Sequence, residues 1–305
     1  MQHGHYIREC RERLGLTQEG LAEALYLFDD DRFQGVDMTT ISKWERGVTH
    51  PPVARMSALI RFFQAKSGKP LPCWGAMKER DVETLTYSGE VSRMLGHPRR
   101  MVQNTPLSVD FAKGFSLLSL RGHPRAGEIL ELTAMMIDET NSPYTRVSAE
   151  RLKRWMAYPD HLFVAAAYKD TFLGFFFMLR LKPESFDALM RFKKRKNELK
   201  EEDFAMAGEP ACIYLLAFFS LTQQIGTLLS ARLYAHLIAH QSEIEEVGFV
   251  SSMPETVRIA QNMPLEHTDT YTDGDTAINA YRNDLFAMLS SETMIRILFS
   301  KHRNR

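Results

Sequence analysis

Thr39-Thr40-Ile41-Ser42-Lys43-Trp44-Glu45-Arg46-Gly47, with Gly15-Leu16-Thr17-Gln18 upstream, is the stretch on which the reading of this chain turns. The hydroxyl of Thr17 suits a helix N-cap, where it accepts a backbone N–H, so a helix is expected to begin at Gln18. A further helix is expected to open at Thr39 and Thr40 and to pack inward through Ile41 and Trp44. It should end where Gly47 takes a left-handed conformation. Met38, Thr39, Ser42 and Lys43 are then left outward. Apolar stripes at helical spacing extend the pattern: Ile7, Cys10 and Leu14; Leu21, Leu25 and Phe28; Val53, Met56, Ile60 and Phe63. Pro51-Pro52 parts the last two helices. Residues 1–65 therefore read as an all-α bundle with Trp44 as its core anchor.

The pairing of L-G-L-T-Q with I-S-K-W-E-R-G, within residues 5–65, resembles the Xre/phage-repressor family of helix-turn-helix regulators. The resemblance implies a double-stranded DNA partner. Gln18, at a helix N-terminus, would clamp a phosphate. Met38, Thr39 and Lys43 would face base edges, with Thr40 and Ser42 on the same recognition helix. Arg46 and the backbone near Val48 would meet the sugar-phosphate chain, and Arg11 would pair internally with Glu45. One departure stands out. The family joins its two central helices by a short turn, whereas here Tyr26 to Asp37 (YLFDDDRFQGVD) intervenes. Its run Asp29-Asp30-Asp31 repels phosphate and must project away from it.

A chain of 305 residues is long enough for two domains, each with its own core. With 44% hydrophobic and 25% charged residues, extensive disorder is excluded. Lys and Arg total 38, as do Asp and Glu, so the net charge of zero excludes a long basic arm but not a local basic patch. Cys10, Cys73 and Cys212 lie far apart and make neither a metal spacing nor a disulfide framework. No signal-peptide pattern and no membrane-length apolar run is seen. These features predict a cytoplasmic, nucleoid-associated protein.

From Lys66 the texture changes. Lys66-Ser67-Gly68-Lys69-Pro70-Leu71-Pro72 reads as a turn-rich connector, and residues 66–114 as a linker with a docking helix over Lys78 to Leu95. Arg99-Arg100 in that linker reads as solvated surface. Residues 115–284 form a second domain. A strand is expected over Phe115–Leu120, helices over Arg125–Asp138 and Ser148–Met156, and strands over Leu162–Tyr168 and Phe172–Leu181. Cys212–Leu221 is a buried central strand, its apolar run typical of strands covered on both faces. A helix over Ile225–Gln241, a strand over Val247–Ser251, a helix over Glu255–Asn262 and further strands complete it. Leu285–Phe299 is an amphipathic helix or pair within a C-terminal segment 285–305, and reads equally as a dimer element or as a cap on its own domain.

This order of elements resembles the GNAT (N-acetyltransferase-like) fold, an α/β (α+β) architecture with a mixed central sheet. That family's motif follows the central strand, where glycines and a helix N-terminus admit the pyrophosphate of coenzyme A. Here Gln223-Gln224-Ile225-Gly226-Thr227-Leu228 matches at Gln223 and Gly226, while Leu228 replaces a small residue. The resemblance implies a coenzyme A or acyl-CoA site of Leu216, on the central strand, with Gln223, Gln224, Gly226 and Thr227. The same segment reads equally as an ordinary strand-to-helix turn.

Catalysis in that family needs a proton acceptor and often a tyrosine that protonates the leaving thiolate. The helix that would carry the tyrosine reads Glu255–Met263 without one, and Pro264-Leu265 follows it. Tyr271 and Tyr281 come later and are not placed at the site. Glu209 is the nearest carboxylate and reads as a surface group. No catalytic residue is assigned. Other features have bland readings. His236 and His240, with Arg232 a turn earlier, are flanked by Leu229, Leu233 and Leu237 and read as packed, not as a zinc site. Met135-Met136 and Phe175–Met178 read as core rather than as a cavity wall. Met190–Glu202 (MRFKKRKNELKEE) reads as a self-compensated exposed helix.

Together these readings predict a sequence-specific transcriptional regulator, a homodimer on a two-fold operator, whose second domain senses a small acyl ligand. The alternatives are an acyl-CoA-dependent N-acyltransferase with a DNA-binding head, and a repressor whose second domain serves only assembly.

Overall fold

The computed structural model describes residues 3–74, 115–138, 144, 146–253 and 255–299. The Lys78–Leu95 helix and Arg99-Arg100 lie outside these. Contacts divide the chain into two units. One holds residues 1–91, 231–242 and 285–305; the other holds residues 92–230 and 243–284.

The first unit begins with helices α1 (His3–Arg13), α2 (Gln18–Phe28), α3 (Asp30–Phe33), α4 (Met38–Glu45) and α5 (Val53–Ser67). Thr17 caps α2, its Oγ1 accepting the Gly20 N–H at 2.9 Å. The insertion after α2 is a one-turn helix with its own cap, since Asp29 Oδ1 accepts the Arg32 N–H at 3.1 Å. Phe33 is fully buried and anchors α3, which packs on α2 and α5 while Asp30 and Asp31 stay exposed. The α4 helix starts at Met38, earlier than the threonine pair suggested. Asp37 is the reason: its Oδ1 accepts both the N–H and the hydroxyl of Thr40 at 2.7 Å. At the other end Gly47 has φ +71°, the Gly47 N–H reaches Trp44 O at 3.0 Å and the Val48 N–H reaches Lys43 O at 2.9 Å. That is a Schellman ending, which satisfies carbonyls the helix itself leaves open. Trp44 is 3% exposed, as a core anchor should be.

Gly4 lets α1 approach the end of α4. A Cβ there would sit 2.5 Å from both Trp44 O and Glu45 O. Beyond α5, the connector is part of the core, with Leu71 and Trp74 fully buried. The three cysteines are free, yet two that lie far apart in sequence meet in space. Cys10 and Cys73, both free and buried, face each other with sulfurs 3.2 Å apart, because α1 and the segment after α5 share one core.

The second unit is built on a seven-stranded sheet. Its elements are β1 (Phe115–Ser119), α6 (Ala126–Asp138), α7 (Ala149–Met156), β2 (Leu162–Tyr168), β3 (Thr171–Leu181), α8 (Pro183–Met190), β4 (Ala211–Ser220), the first half of α9 (Gln223–Ala239), β5 (Ile244–Ser251), α10 (Glu255–Asn262), β6 (Glu266–Asp273) and β7 (Thr276–Asp284), with α9 from residue 231 on counted in the first unit. The strand order is β1-β2-β3-β4-β5-β7-β6, and β4–β5 is the parallel pair. This is a mixed sheet, as expected from the sequence. Gly174 on β3 admits the start of α9, since a Cβ there would lie 2.7 Å from Ile225 Cγ2.

Residues 190–202 are not an exposed helix. They form two single 3-10 turns, Lys196–Glu198 and Glu201–Asp203, and Lys196 is only 4% exposed. Some of its charges are paired, Lys194 with Asp203 just beyond the segment and Lys200 with Glu202.

The chain ends in α11 (Leu285–Ser290) and α12 (Glu292–Leu298), which belong to the first unit. They pack on α5, tied by Ser57 Oγ to Ser290 O at 2.6 Å and by Gln64 Nε2 to Phe286 O at 2.8 Å. The pair thus packs on the helical bundle.

Candidate DNA-reading helix and ligand cleft

In the helical unit, one buried carboxylate organises the surface that α4 presents. The Glu45 side chain is 1% exposed, and its oxygens accept Arg11 Nε at 2.6 Å and Arg11 Nη2 at 3.1 Å. Gln18 Nε2 donates to the same group at 2.8 Å. Arg11 Nη1 also reaches Leu16 O at 2.8 Å, locking the turn before α2. The Arg11–Glu45 pair implied by resemblance is present.

Around this hub Met38, Thr39, Lys43 and Arg46 are exposed, while Gln18, Thr40 and Ser42 are half-buried. Thr40 uses its hydroxyl hydrogen on Asp37. Arg46 Nε lies 3.3 Å from Ser42 O, across the last turn of α4. Sequence reasoning missed Asp37, although an Asp before a threonine pair is itself a cap signal.

In the sheet unit, the central cleft follows from strand geometry. β4 and β5 pair only over Ala211–Tyr214 and Ile244–Gly248. Leu216 has no partner on β3, because Met178 faces Leu215 and Phe177 faces Ala217. A bulge at this point bends and twists β4. Beyond it the two strands diverge, and the gap opens as a cleft. Leu216, Phe219, Phe249 and Met263 give it an apolar wall. Met136 and Phe175 also line it, so part of the methionine and phenylalanine runs does form a cavity wall. Phe176, Phe177 and Met178 are plain core, and Met135 is 68% exposed.

Of the residues expected to hold a coenzyme, Leu216 lines the cleft. Gly226 is buried in the first turn of α9. The side chains of Gln223, Gln224 and Thr227 lie outside the described residues. Thr222 caps this helix, its Oγ1 3.3 Å from the Ile225 N–H. A phosphate at that amide would have to displace the threonine.

Several hydroxyls in the wall are already engaged. Thr133 Oγ1 donates to Ile129 O at 2.7 Å, and Ser251 Oγ accepts the Met253 N–H at 3.1 Å. Lys196 is different. It is the single charged side chain among the described residues of the wall. Its ammonium sits 5.5 Å from the centre of the Tyr214 ring, a cation–π distance. Burial pushes its pKa down to about 8.

Glu209 is exposed and stands just before β4, at the end where the strands are still paired. Its Oε2 accepts the Met206 N–H at 2.8 Å. Tyr271 packs at a tilt against Tyr144 with ring centres 4.3 Å apart, and Tyr281 packs on Phe249 at 5.3 Å. His236 is 7% exposed with its ring 4.3 Å from that of His240. Among the described residues no group of three or more His, Cys, Asp or Glu is placed to hold a metal ion. No described helix is long and apolar enough to cross a membrane.

A search of curated proteins finds no match. Among solved structures, the chain is similar to Arabidopsis thaliana Naa50 in complex with a bisubstrate analogue, at 15% identity and a TM-score of 0.36 over 56% of this chain and 99% of that one. It is similar to the loading GNATL domain of CurA from Lyngbya majuscula, at 17% identity and a TM-score of 0.39 over 57% and 98%. It is similar also to FeeM, an N-acyl amino acid synthase from uncultured soil microbes, at 10% identity and a TM-score of 0.38 over 58% and 92%. Residues 7–68 match the family model described as Helix-turn-helix. The N-terminal segment thus matches a helix-turn-helix family model and is carried in one chain with a domain built on a seven-stranded mixed sheet.

Proposed function

We propose that this chain is a sequence-specific transcriptional regulator that reads its operator with α4 and binds a small acyl ligand in the β4–β5 cleft. The observation that carries the reading is the Glu45 hub, which fixes α4 while Met38, Thr39, Lys43 and Arg46 stay exposed. A rigid helix with an exposed polar face is what direct readout in a major groove needs. Single heads of this kind contact few base pairs, so two copies would bind a two-fold operator. In the cleft, diverging strand edges offer backbone N–H and C=O groups to an extended amide-bearing chain such as the pantetheine arm of coenzyme A. Leu216 and its apolar neighbours would take the acyl part. Bound ligand would shift operator affinity to the extent that it favours one conformation over another.

Native mass spectrometry of freshly purified protein, with and without operator DNA, tests the reading. Dimers retaining an acyl compound or coenzyme A support it. A ligand-free monomer whose DNA affinity ignores added acyl-CoA contradicts it.

A further inference from the structure

The wall of the β4–β5 cleft is apolar except for short hydroxyls, of which Thr133, Ser251 and Thr256 already bond within the fold. Against that background Lys196 is out of place. It is 4% exposed, and no carboxylate among the described residues forms an ion pair with it. The aromatic face of Tyr214, 5.5 Å away, is its cation–π neighbour. An isolated ammonium in an apolar site is costly unless something compensates it. Lys194, two residues earlier, is by contrast held by Asp203. An anion brought by a ligand would supply the missing charge, and the rest of the wall suits an aliphatic or aromatic body.

We propose that the cleft binds an apolar carboxylate, a medium-chain fatty acid or an acyl compound ending in a carboxylate, whose head group pairs with Lys196 while its tail lies against Leu216, Phe249 and Met263. This deepens the reading of the cleft as a ligand site and depends on it.

Calorimetric titration of the full chain with decanoate, decanol and coenzyme A, for wild type and Lys196→Met, tests the assignment. Wild type should bind decanoate at least tenfold more tightly than decanol. Lys196→Met should lose that preference while keeping its affinity for decanol, which also shows that the variant is folded. Wild type alone can refute the proposal: equal binding of decanoate and decanol overturns it and leaves the cleft a ligand site. A variant that loses coenzyme A but keeps decanoate would assign Lys196 to phosphate and equally overturn it. Binding of none of the three probes would remove both the proposal and the cleft reading.

Discussion

Gln18 donates its side-chain amide to Glu45 at 2.8 Å, joining the start of α2 to the end of α4. The same carboxylate holds Arg11 of α1, so one buried anion ties three helices together. A primary amide has two N–H donors, and this bond therefore orients Gln18 without exhausting it. Gln18→Ala should weaken DNA binding to a similar degree on every sequence, as loss of a phosphate contact does. Binding assays against a panel of operators would show this, and a shift in the preferred sequence would contradict it.

Glu45→Ala takes from the Arg11 guanidinium, 12% exposed, its buried bidentate partner and leaves it only the exposed Glu12 at 3.5 Å and Leu16 O. Removing one member of such a pair costs about 3 kcal/mol or more. Urea unfolding should show a loss of that size, larger than for Gln18→Ala. A loss below about 1 kcal/mol would mean that the pair is an incidental contact.

Gly4→Ala sets propensity against sterics. Alanine favours a helix over glycine by about 1 kcal/mol. The added methyl would meet two carbonyl oxygens of α4 at 2.5 Å, and backbone cannot move aside cheaply. Overpacking of this kind costs about 1–3 kcal/mol, so the variant should melt at a lower temperature. A rise in melting temperature would show that α1 and α4 have room to separate.

Lys196→Met should stabilise the ligand-free protein at pH 7. The folded chain holds the lysine near pKa 8 and the unfolded chain holds it near 10.5, so folding disfavours the ammonium by about 3 kcal/mol. Between those values the unfolded chain binds more protons, and wild-type stability rises with pH. The advantage of the variant should accordingly shrink from pH 8 to 10.5. A gap independent of pH would mean that the substitution acts through packing.

His161 titrates in the opposite range. It is 2% exposed, and its Nδ1 accepts the Arg180 N–H at 3.2 Å. Burial, with Arg121 and Arg180 nearby, pushes its pKa down to about 3. The unfolded chain takes up a proton near pH 6.5, so stability falls as the pH drops from 6.5 towards 3. His161→Asn keeps an acceptor for Arg180 and should flatten that part of the acid-unfolding curve. An unchanged acid profile would contradict the assignment.

Much of the architecture was legible because it rests on periodicity and caps. Thr17, Gly47 and the apolar stripes mark the helices, and the run from Phe172 to Leu181 marks a strand covered on both faces. The start of α4 was misplaced because Asp37 caps from outside the motif. Three features depend on tertiary contact and leave no local trace. Cys10 and Cys73 meet across a shared core. The α11–α12 pair returns to α5. Lys196 sits in a KKRK run that suggests solvent, yet its neighbours bury it. The cleft itself follows from a bulge at Leu216, and nothing in an apolar run marks where a strand will bend.

Selection of bound sites from randomised duplex DNA, for wild type and Lys43→Ala in parallel, tests the central claim most directly. Wild type should enrich one motif of two related half-sites. Lys43→Ala should lose preference at one position of each half-site, with a cost of about 1–3 kcal/mol if the contact is to guanine. No enriched motif with wild type, or an identical motif from both proteins, would contradict the assignment of α4 as the reading helix.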